Sequence, residues 1–471
     1  MNHRKHPMRR TAAASAVVAA TALALSACGP DITSGSPASG DQSGSGQSGV
    51  ASGAADVLEA PDTSDPAALT GDITIWDRSG DLFQVFDGVI DDFNQKYPNI
   101  TVHHEAVDID SKLQNTLITG TDVPDGVFLD DAMVSGYADY LWDVSDVLAP
   151  YASDIAPQKL DATTVDGHTY GIPYDLDPGL LFYNESALSD AGIDATQIQT
   201  YDDLLDAARA YKAAKPDSGP IHLEQGAFLG QLQLEMYASQ FGTSIGAEDG
   251  SVRLDSDAYR QILGFLDTAS SEGLGTRAEY LNQTDVAEME NGNEVFYPWS
   301  IWFDFAPQQL LTQTGGDWRA MELPAWTEGG ARSGAMGGSS FVLPKEGKNS
   351  QLAAVFYEFL MYDQAGYTAV WGPNDIYPDG LNTSIPAYLP AADPDTPLFQ
   401  TTDLLGGQDL WKIATAAGAE IPGGSSIPWW WNSSVDYLGN NVQKMLDGQM
   451  SPDDVITQST ADIQTNLIDR H

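Results

Sequence analysis

From Gly71 onward, short β-branched runs alternate with segments of helical period, and this alternation restricts the possible folds more than any other feature of the chain. Asp72-Ile73-Thr74-Ile75-Trp76 reads as a buried strand. A helical segment follows, with Phe86, Ile90 and Phe93 close to one turn apart, and Tyr97-Pro98-Asn99 stops it. Ile100-Thr101-Val102 restarts as a strand. Lys112 to Ile118 is a second helix, and Pro124 to Leu129 is a third strand that ends on Asp130-Asp131. Strands separated by helices argue for a largely parallel sheet, with ligands beyond the carboxyl ends of its strands. Trp76-Asp77-Arg78 and Asp130-Asp131 stand at such ends. Further helices read from Asp202 to Lys212, Phe228 to Phe241 and Ala353 to Met361. The stretch Val435 to Leu467 reads as two helices split by Asp447-Gly448 and Ser451-Pro452. A chain of 471 residues has room for two cores or more.

The net charge is −46, from 21 basic and 67 acidic residues. No basic stripe is available to neutralise phosphates, so no nucleic-acid partner is expected. The acidity reads as a solvated surface. A single cysteine, Cys28, rules out a disulfide framework and a cysteine zinc site within one chain.

Cys28 has another meaning. Residues 1–10 carry Arg4, Lys5, Arg9 and Arg10, and Thr11 to Ala27 is small and apolar, too short for a comfortable membrane span. The run ends in Leu25-Ser26-Ala27-Cys28, which resembles the bacterial lipobox. The resemblance implies a signal peptide over residues 1–27, lipidation of Cys28 and attachment at the extracytoplasmic face of the cell membrane. Residues 28–70 are rich in Gly, Ser, Asp, Pro and Ala and read as a flexible tether. A tether of that length spans roughly 35 Å root-mean-square.

Several stretches together resemble the extracellular solute-binding proteins of bacterial ABC importers, of the type that binds maltose and other oligosaccharides. Gly71 to Trp76, Tyr97 to Val102 and Pro124 to Phe128 are similar to that family's first three strands. Asp166 to Pro173 with Leu181-Phe182-Tyr183-Asn184 resembles the entry into its second lobe. Gly337 to Lys345 with Lys348-Asn349 resembles a glycine-rich strand and the helix start after it. Gly448 with Pro452-Asp453-Asp454 resembles the last-helix signature. The resemblance implies an α/β, periplasmic-binding-protein-like fold: two lobes with a ligand cleft and a hinge. One lobe would take residues 71–178 and about 335–385, the other residues 179–334 and about 386–471. It also implies a monomer that hands a neutral oligosaccharide to membrane permease subunits, with no cofactor and no catalysis.

A sugar offers apolar C–H faces and a ring of hydroxyls, so its site needs flat aromatic surfaces plus side-chain donors and acceptors in an enclosed cleft. The candidates are Trp76, Asp77 and Arg78 after the first strand, Asp130 and Asp131 after the third, and Tyr174 with Asp177. The resemblance makes Asp177 an acidic sugar ligand and Trp299, with Trp302 beside it, a stacking platform. Trp429 or Trp430, in the run Trp429-Trp430-Trp431, would be the second platform, since three consecutive indoles cannot all face one core. Trp371, Gln231 and the backbone N–H groups of Gly338 and Ser339 complete the set. So many carboxylates need hydroxyl donors, which favours a neutral polyol over an anion.

Three catalytic or metal signals fail on context. Gly242-Thr243-Ser244-Ile245-Gly246 matches a serine-hydrolase elbow, but a helix precedes it where a strand is needed. His103 and His104 point to opposite faces of a strand. Asp108-Ile109-Asp110 lacks the glycine and terminal glutamate of a calcium loop. Two other functions stay open at this stage: a secreted glycoside-active enzyme, which would need two carboxyls about 5–9.5 Å apart across a cleft, and a receptor-type protein that feeds a sensor.

Overall fold

The computed structural model describes residues 56–247, 249–378, 380–381, 383–393, 398, 404–424 and 427–470. The expected leader 1–27, Cys28 and the expected tether as far as residue 55 lie outside the described residues.

The chain builds one sheet, crosses to a second, and returns to the first. Strands β1 (Gly71–Asp77), β2 (Ile100–Ala106) and β3 (Gly126–Asp130) come first, and β1 pairs in parallel with both neighbours. Strand β4 (Ile172–Pro173) joins this sheet, and β5 (Asp175–Leu176) leads out of it. The second sheet holds β6 (Gly179–Asn184), β7 (Ile221–Glu224), β8 (Gly275–Ala278), β9 (Phe296–Ser300) and β10 (Trp318–Glu322). Then β11 (Ser339–Val342) returns to the first sheet, and β12 (Ile385–Pro386) pairs antiparallel with β5. The first sheet runs β2-β1-β3-β11-β4 and the second β8-β7-β9-β6-β10.

Each sheet is mixed rather than largely parallel. β11 is antiparallel to β3 and β4, and β6 is antiparallel to β9 and β10. A strand that enters a sheet from the other one has no crossover helix beside it, so nothing forces it parallel.

The helical pattern in the sequence has a physical purpose. On the helix Asp81–Lys96, Phe86, Val89 and Phe93 are buried. Phe86 meets Phe128 edge-on at 5.3 Å and Tyr174 at 5.4 Å, and Phe93 meets Phe356 edge-on at 5.0 Å. Such pairs add about 0.5–1.5 kcal/mol each beyond area burial. The helix Tyr201–Ala214 starts on a capping box in which Thr200 and Asp203 bond each other's backbone. The helix Pro452–Asn466 has proline in its first turn and Ser451 as its cap. It packs with Asn440–Leu446 on the helix Asp257–Ser271 of the second sheet. Among the described residues no helix is long and apolar enough to cross a membrane.

The expected tether ends earlier than residue 70. Leu58 is buried, and its N–H donates to the Asp143 carbonyl at 2.8 Å. The Asn99 side chain donates to the Ala67 carbonyl at 2.8 Å. Leu58 and Leu69 interrupt the polar composition, and these apolar groups pack residues 56–70 on the core.

Candidate functional site

A cavity of about 590 Å³ lies where the two sheets face each other. Three chain passages form its floor. In the first, Tyr174 to Pro178 runs from β4 to β6. In the second, Ala335 to Ser339 returns, with the Met336 N–H donating to the Asp177 carbonyl at 3.0 Å and the Gly179 N–H to the Gly334 carbonyl at 2.7 Å. Thr383 and Ser384 come from the third.

The first-sheet wall is a charge network. Asp130 ends β3 and binds Arg78, which follows β1, at 2.7 Å. Asp131 and Lys159 form a buried ion pair, and the Ser340 hydroxyl donates to the second Asp131 oxygen at 2.7 Å. Lys159 also donates to the Ser339 carbonyl at 3.2 Å and stands 4.0 Å from Asp175. The Ser339 N–H is spent on Asp175 at 2.7 Å. Gly338 has φ of +103°, and a Cβ there would meet the Lys159 ammonium at 2.7 Å and Asp131 at 2.8 Å. The glycine is what lets the return strand pass this ion pair.

Burial shapes the acids. It pushes Asp175 up to about 7, against the attraction of Lys159. It holds Asp177 well above the usual carboxylate range, and the neighbouring Asp175 charge adds to this. One oxygen of Asp177 is buried without a hydrogen-bond partner. Across the cavity, Glu235 is pushed up to about 7 by burial, although the Ile245 N–H and the Tyr259 hydroxyl donate to it. The lining thus holds Asp130, Asp131, Asp161, Asp175, Asp177 and Glu235 against Arg78 and Lys159. An anion would find too little positive charge here, whereas hydroxyls could serve these groups as donors and acceptors.

The second-sheet wall is aromatic and aliphatic, with Phe228, Leu229, Leu232, Tyr280, Trp302 and Trp431. Trp302 and Tyr280 are partly exposed and meet edge-on at 4.7 Å. Trp299 lies behind both, stacked on Tyr280 at 5.2 Å and wholly buried.

Of the residues picked out in the sequence, Arg78, Asp130, Asp131, Asp177, Trp302, Gly338 and Ser339 come together on the cavity. The others stand off the lining. Trp76 is packed in the first-sheet half, with Lys112 3.8 Å over its ring and Glu105 on its indole N–H. Asp77 is buried and accepts from the Arg78 N–H at 2.6 Å. Tyr174 and Trp371 are buried and stack on each other at 5.0 Å. Gln231 is a support: its amide donates to the Trp431 carbonyl and the Ser434 hydroxyl, fixing the turn that carries Trp431. In the tryptophan triplet, Trp429 is exposed outside the lining, and Trp430 is buried with its N–H on the Gly250 carbonyl. Trp431 is the one that reaches the cavity. On the lining stand Trp302, beside Trp299, and Trp431, beside Trp429 and Trp430.

Sequence reasoning missed Lys159, Tyr280 and Glu235. Glu235 carried a readable signal, because it lies one turn beyond Gln231 on the same helix. Ser244 lines the cavity with its hydroxyl on the Gly246 carbonyl, and the helix Ala227–Ser239 precedes it, so no elbow forms.

Residues 77–366 match the family described as bacterial extracellular solute-binding protein. The chain belongs to that family. A member binds solute outside the cytoplasm and is not an enzyme. Similar curated proteins are the arabinooligosaccharide-binding protein of Halalkalibacterium halodurans, 25% identical over 64% of this chain and 69% of that one, and the lactose-binding protein of Rhizobium radiobacter, 24% identical over 74% and 82%. Solved structures confirm the two-lobed fold. A binding protein associated with an ABC transporter of B. animalis subsp. lactis, in complex with beta-1,6-galactobiose, has a TM-score of 0.68 at 20% identity, covering 85% of this chain and 98% of that one. The GacH receptor of Streptomyces glaucescens, solved unliganded and with acarbose, scores 0.67 at 18% identity, with 85% and 99% covered. The solute-binding family thus supplies the frame, and the residues above define what this member can hold.

Proposed function

We propose that this chain is the extracytoplasmic capture protein of an ABC importer, anchored through a lipid on Cys28, and that it takes a neutral oligosaccharide into the cleft. The observation that carries the reading is the pairing of walls across one 590 Å³ cavity: partly exposed Trp302 and Tyr280 on one side, and a carboxylate-rich network on the other. Aromatic faces cover sugar C–H surfaces, and Asp130, Asp177, Glu235 and Arg78 engage hydroxyls. The volume falls within the usual range of small-molecule sites. The relatives' own ligands, arabino-oligosaccharides and lactose among them, are of this chemical class.

Closure follows from two walls on separate sheets. Ligand that touches both stabilises the closed arrangement by its differential affinity for it. We place one lobe at residues 71–178 and about 335–385, and the other at residues 179–334 and about 386–471. The passages at 174–178, 335–339 and 383–386 would act as the hinge. The loaded, closed form would dock as a monomer on two membrane permease subunits.

The test is a thermal-shift panel of arabino-oligosaccharides, lactose, beta-1,6-galactobiose, amino acids and uronate oligosaccharides. Stabilisation by one or more neutral oligosaccharides alone supports the reading. Stabilisation by an amino acid or uronate, with none from a neutral sugar, refutes it.

A further inference from the structure

A second cluster of chemistry-bearing side chains lies behind the aromatic wall. His222 on β7, Asp285 in the helix Gln283–Glu290 and Glu294 just before β9 are each wholly buried. The Nδ1 atom of His222 stands 2.9 Å from Glu294 Oε1 and 3.3 Å from Asp285 Oδ1. On its other side, Nε2 faces Glu224 at 3.4 Å. Glu224 is held from outside, accepting from the Gly226 N–H at 2.5 Å and the Tyr280 N–H at 2.9 Å. The outer oxygen of Asp285 accepts from the Leu281 N–H and the Tyr297 hydroxyl, at 2.8 and 2.9 Å. Its inner oxygen, Oδ1, has no hydrogen-bond partner, and neither has Glu294 Oε2.

This hydrogen-bond cluster leaves two wholly buried carboxylate oxygens, Asp285 Oδ1 and Glu294 Oε2, unserved. If Nε2–H donates to Glu224, Nδ1 presents a lone pair to Glu294 and Asp285, and with both carboxylates ionised only a cation bridges the three. If instead the imidazole is doubly protonated, its one positive charge leaves an excess of negative charge among the buried carboxylates of Glu224, Asp285 and Glu294. An uncompensated buried charge of that kind is expensive. Two ligand atoms about 2.1 Å from a shared ion lie about 3.0–3.4 Å apart at octahedral or tetrahedral angles. The two separations from Nδ1 are close to such polyhedron edges.

We propose that His222, Asp285 and Glu294 form a structural site for a divalent first-row transition ion, zinc foremost. Nδ1 of His222, Oδ1 of Asp285 and the two oxygens of Glu294 supply an N/O donor set of the kind zinc accepts. A neutral imidazole and two carboxylates balance the ion's charge. Glu224 is the outer carboxylate that fixes the histidine tautomer, and Tyr297, stacked on the ring at 4.0 Å, orients Asp285. The ion would cross-link β7, the helix Gln283–Glu290 and β9 directly behind Tyr280 and Trp299. Because the three residues are far apart in sequence, no spacing motif announces them.

The experiment uses tag-free protein unfolded in guanidinium, refolded with stoichiometric ZnCl2 or with EDTA, and desalted, since a buried site loads as the chain folds. Metal content is read by mass spectrometry and the ligand shell by zinc X-ray absorption. The proposal expects about one zinc per chain, a shell of one imidazole with oxygens and no sulfur, and a higher unfolding midpoint than the EDTA sample. His222→Gln, checked for fold by circular dichroism, should lose the zinc. The proposal is overturned if wild-type protein retains no zinc and shows no shift in midpoint, or if the shell contains sulfur. It is equally overturned if folded His222→Gln keeps the metal. A proton shared between His222 and Glu294, which burial pushes up to about 8, would then be the alternative occupant.

Discussion

Replacing Trp302 should separate ligand recognition from packing more cleanly than any other change. The side chain is partly exposed on the cavity wall, meets Tyr280 and Trp299 edge-on at 4.7 and 5.3 Å, and offers its N–H to the Met336 carbonyl at 3.5 Å. Truncating a central aromatic anchor costs roughly 2 kcal/mol or more of binding, which is about 30-fold in Kd. Trp299 is wholly buried behind it and off the cavity lining. Its loss should cost about 3–5 kcal/mol of stability through the cavity left behind. Isothermal titration with the tightest oligosaccharide of the panel, paired with guanidinium unfolding, reads both. Trp302→Ala should bind about 30-fold more weakly or worse with a nearly native midpoint, and Trp299→Ala should lose most of its midpoint. If Trp302→Ala stays folded and binds as tightly as wild type, the placement of the platform at Trp302 is wrong.

The remaining predictions concern charge, glycine and the anchor. Asp175, Glu235, Asp304 and Glu358 are all raised to about 7 from ordinary values of 3.8 for aspartate and 4.5 for glutamate. The folded state therefore binds more protons than the unfolded state in between, so these groups should make stability fall from about pH 4.5 to pH 7; Glu235→Gln should flatten that fall in denaturation series, and an unchanged slope refutes the assignment. Gly338→Ala should displace the Lys159–Asp131 pair, and a broken buried pair costs about 3–5 kcal/mol, so a fully native midpoint in the variant contradicts the close approach. Cys28→Ser expressed with its own leader should leave the protein unprocessed or released, and membrane partition of a correctly processed Cys28→Ser form rules out the lipid anchor. Prolonged incubation with a bound oligosaccharide should give no product; hydrolysis lost on replacing one cleft aspartate would reinstate the enzyme.

Much of the frame was legible because period and punctuation agree with burial. Phe86 and Phe93 at turn spacing, the stop at Tyr97-Pro98-Asn99 and the Ser451-Pro452 start all recur in the structure. Arg78, Asp130 and Asp131 were readable as strand-end groups, since a strand end must point past the sheet. The tryptophans were not. Whether Trp299 or Trp302 meets the cavity depends on where β9 ends and the chain turns, and both sit in an apolar run that the sequence alone reads as uniform. Trp431 reaches the cavity because Gln231, 200 positions earlier, holds its carbonyl. Lys159 was invisible for the same reason: its partners Asp131, Asp175 and Ser339 come from three different segments. The mixed sheets escaped notice because chain direction is set by the passage between sheets and leaves no periodic trace.

The most direct measurement is calorimetric titration of the wild-type protein with neutral oligosaccharides at low and high ionic strength. Charges buried in the cleft are screened little, and an uncharged ligand gains nothing from long-range attraction. The account predicts saturable binding of at least one neutral oligosaccharide, in the range of about −8 kcal/mol for a micromolar Kd, with an affinity that salt barely alters. Failure of every neutral oligosaccharide to bind, or an affinity that collapses as salt is raised, would contradict it.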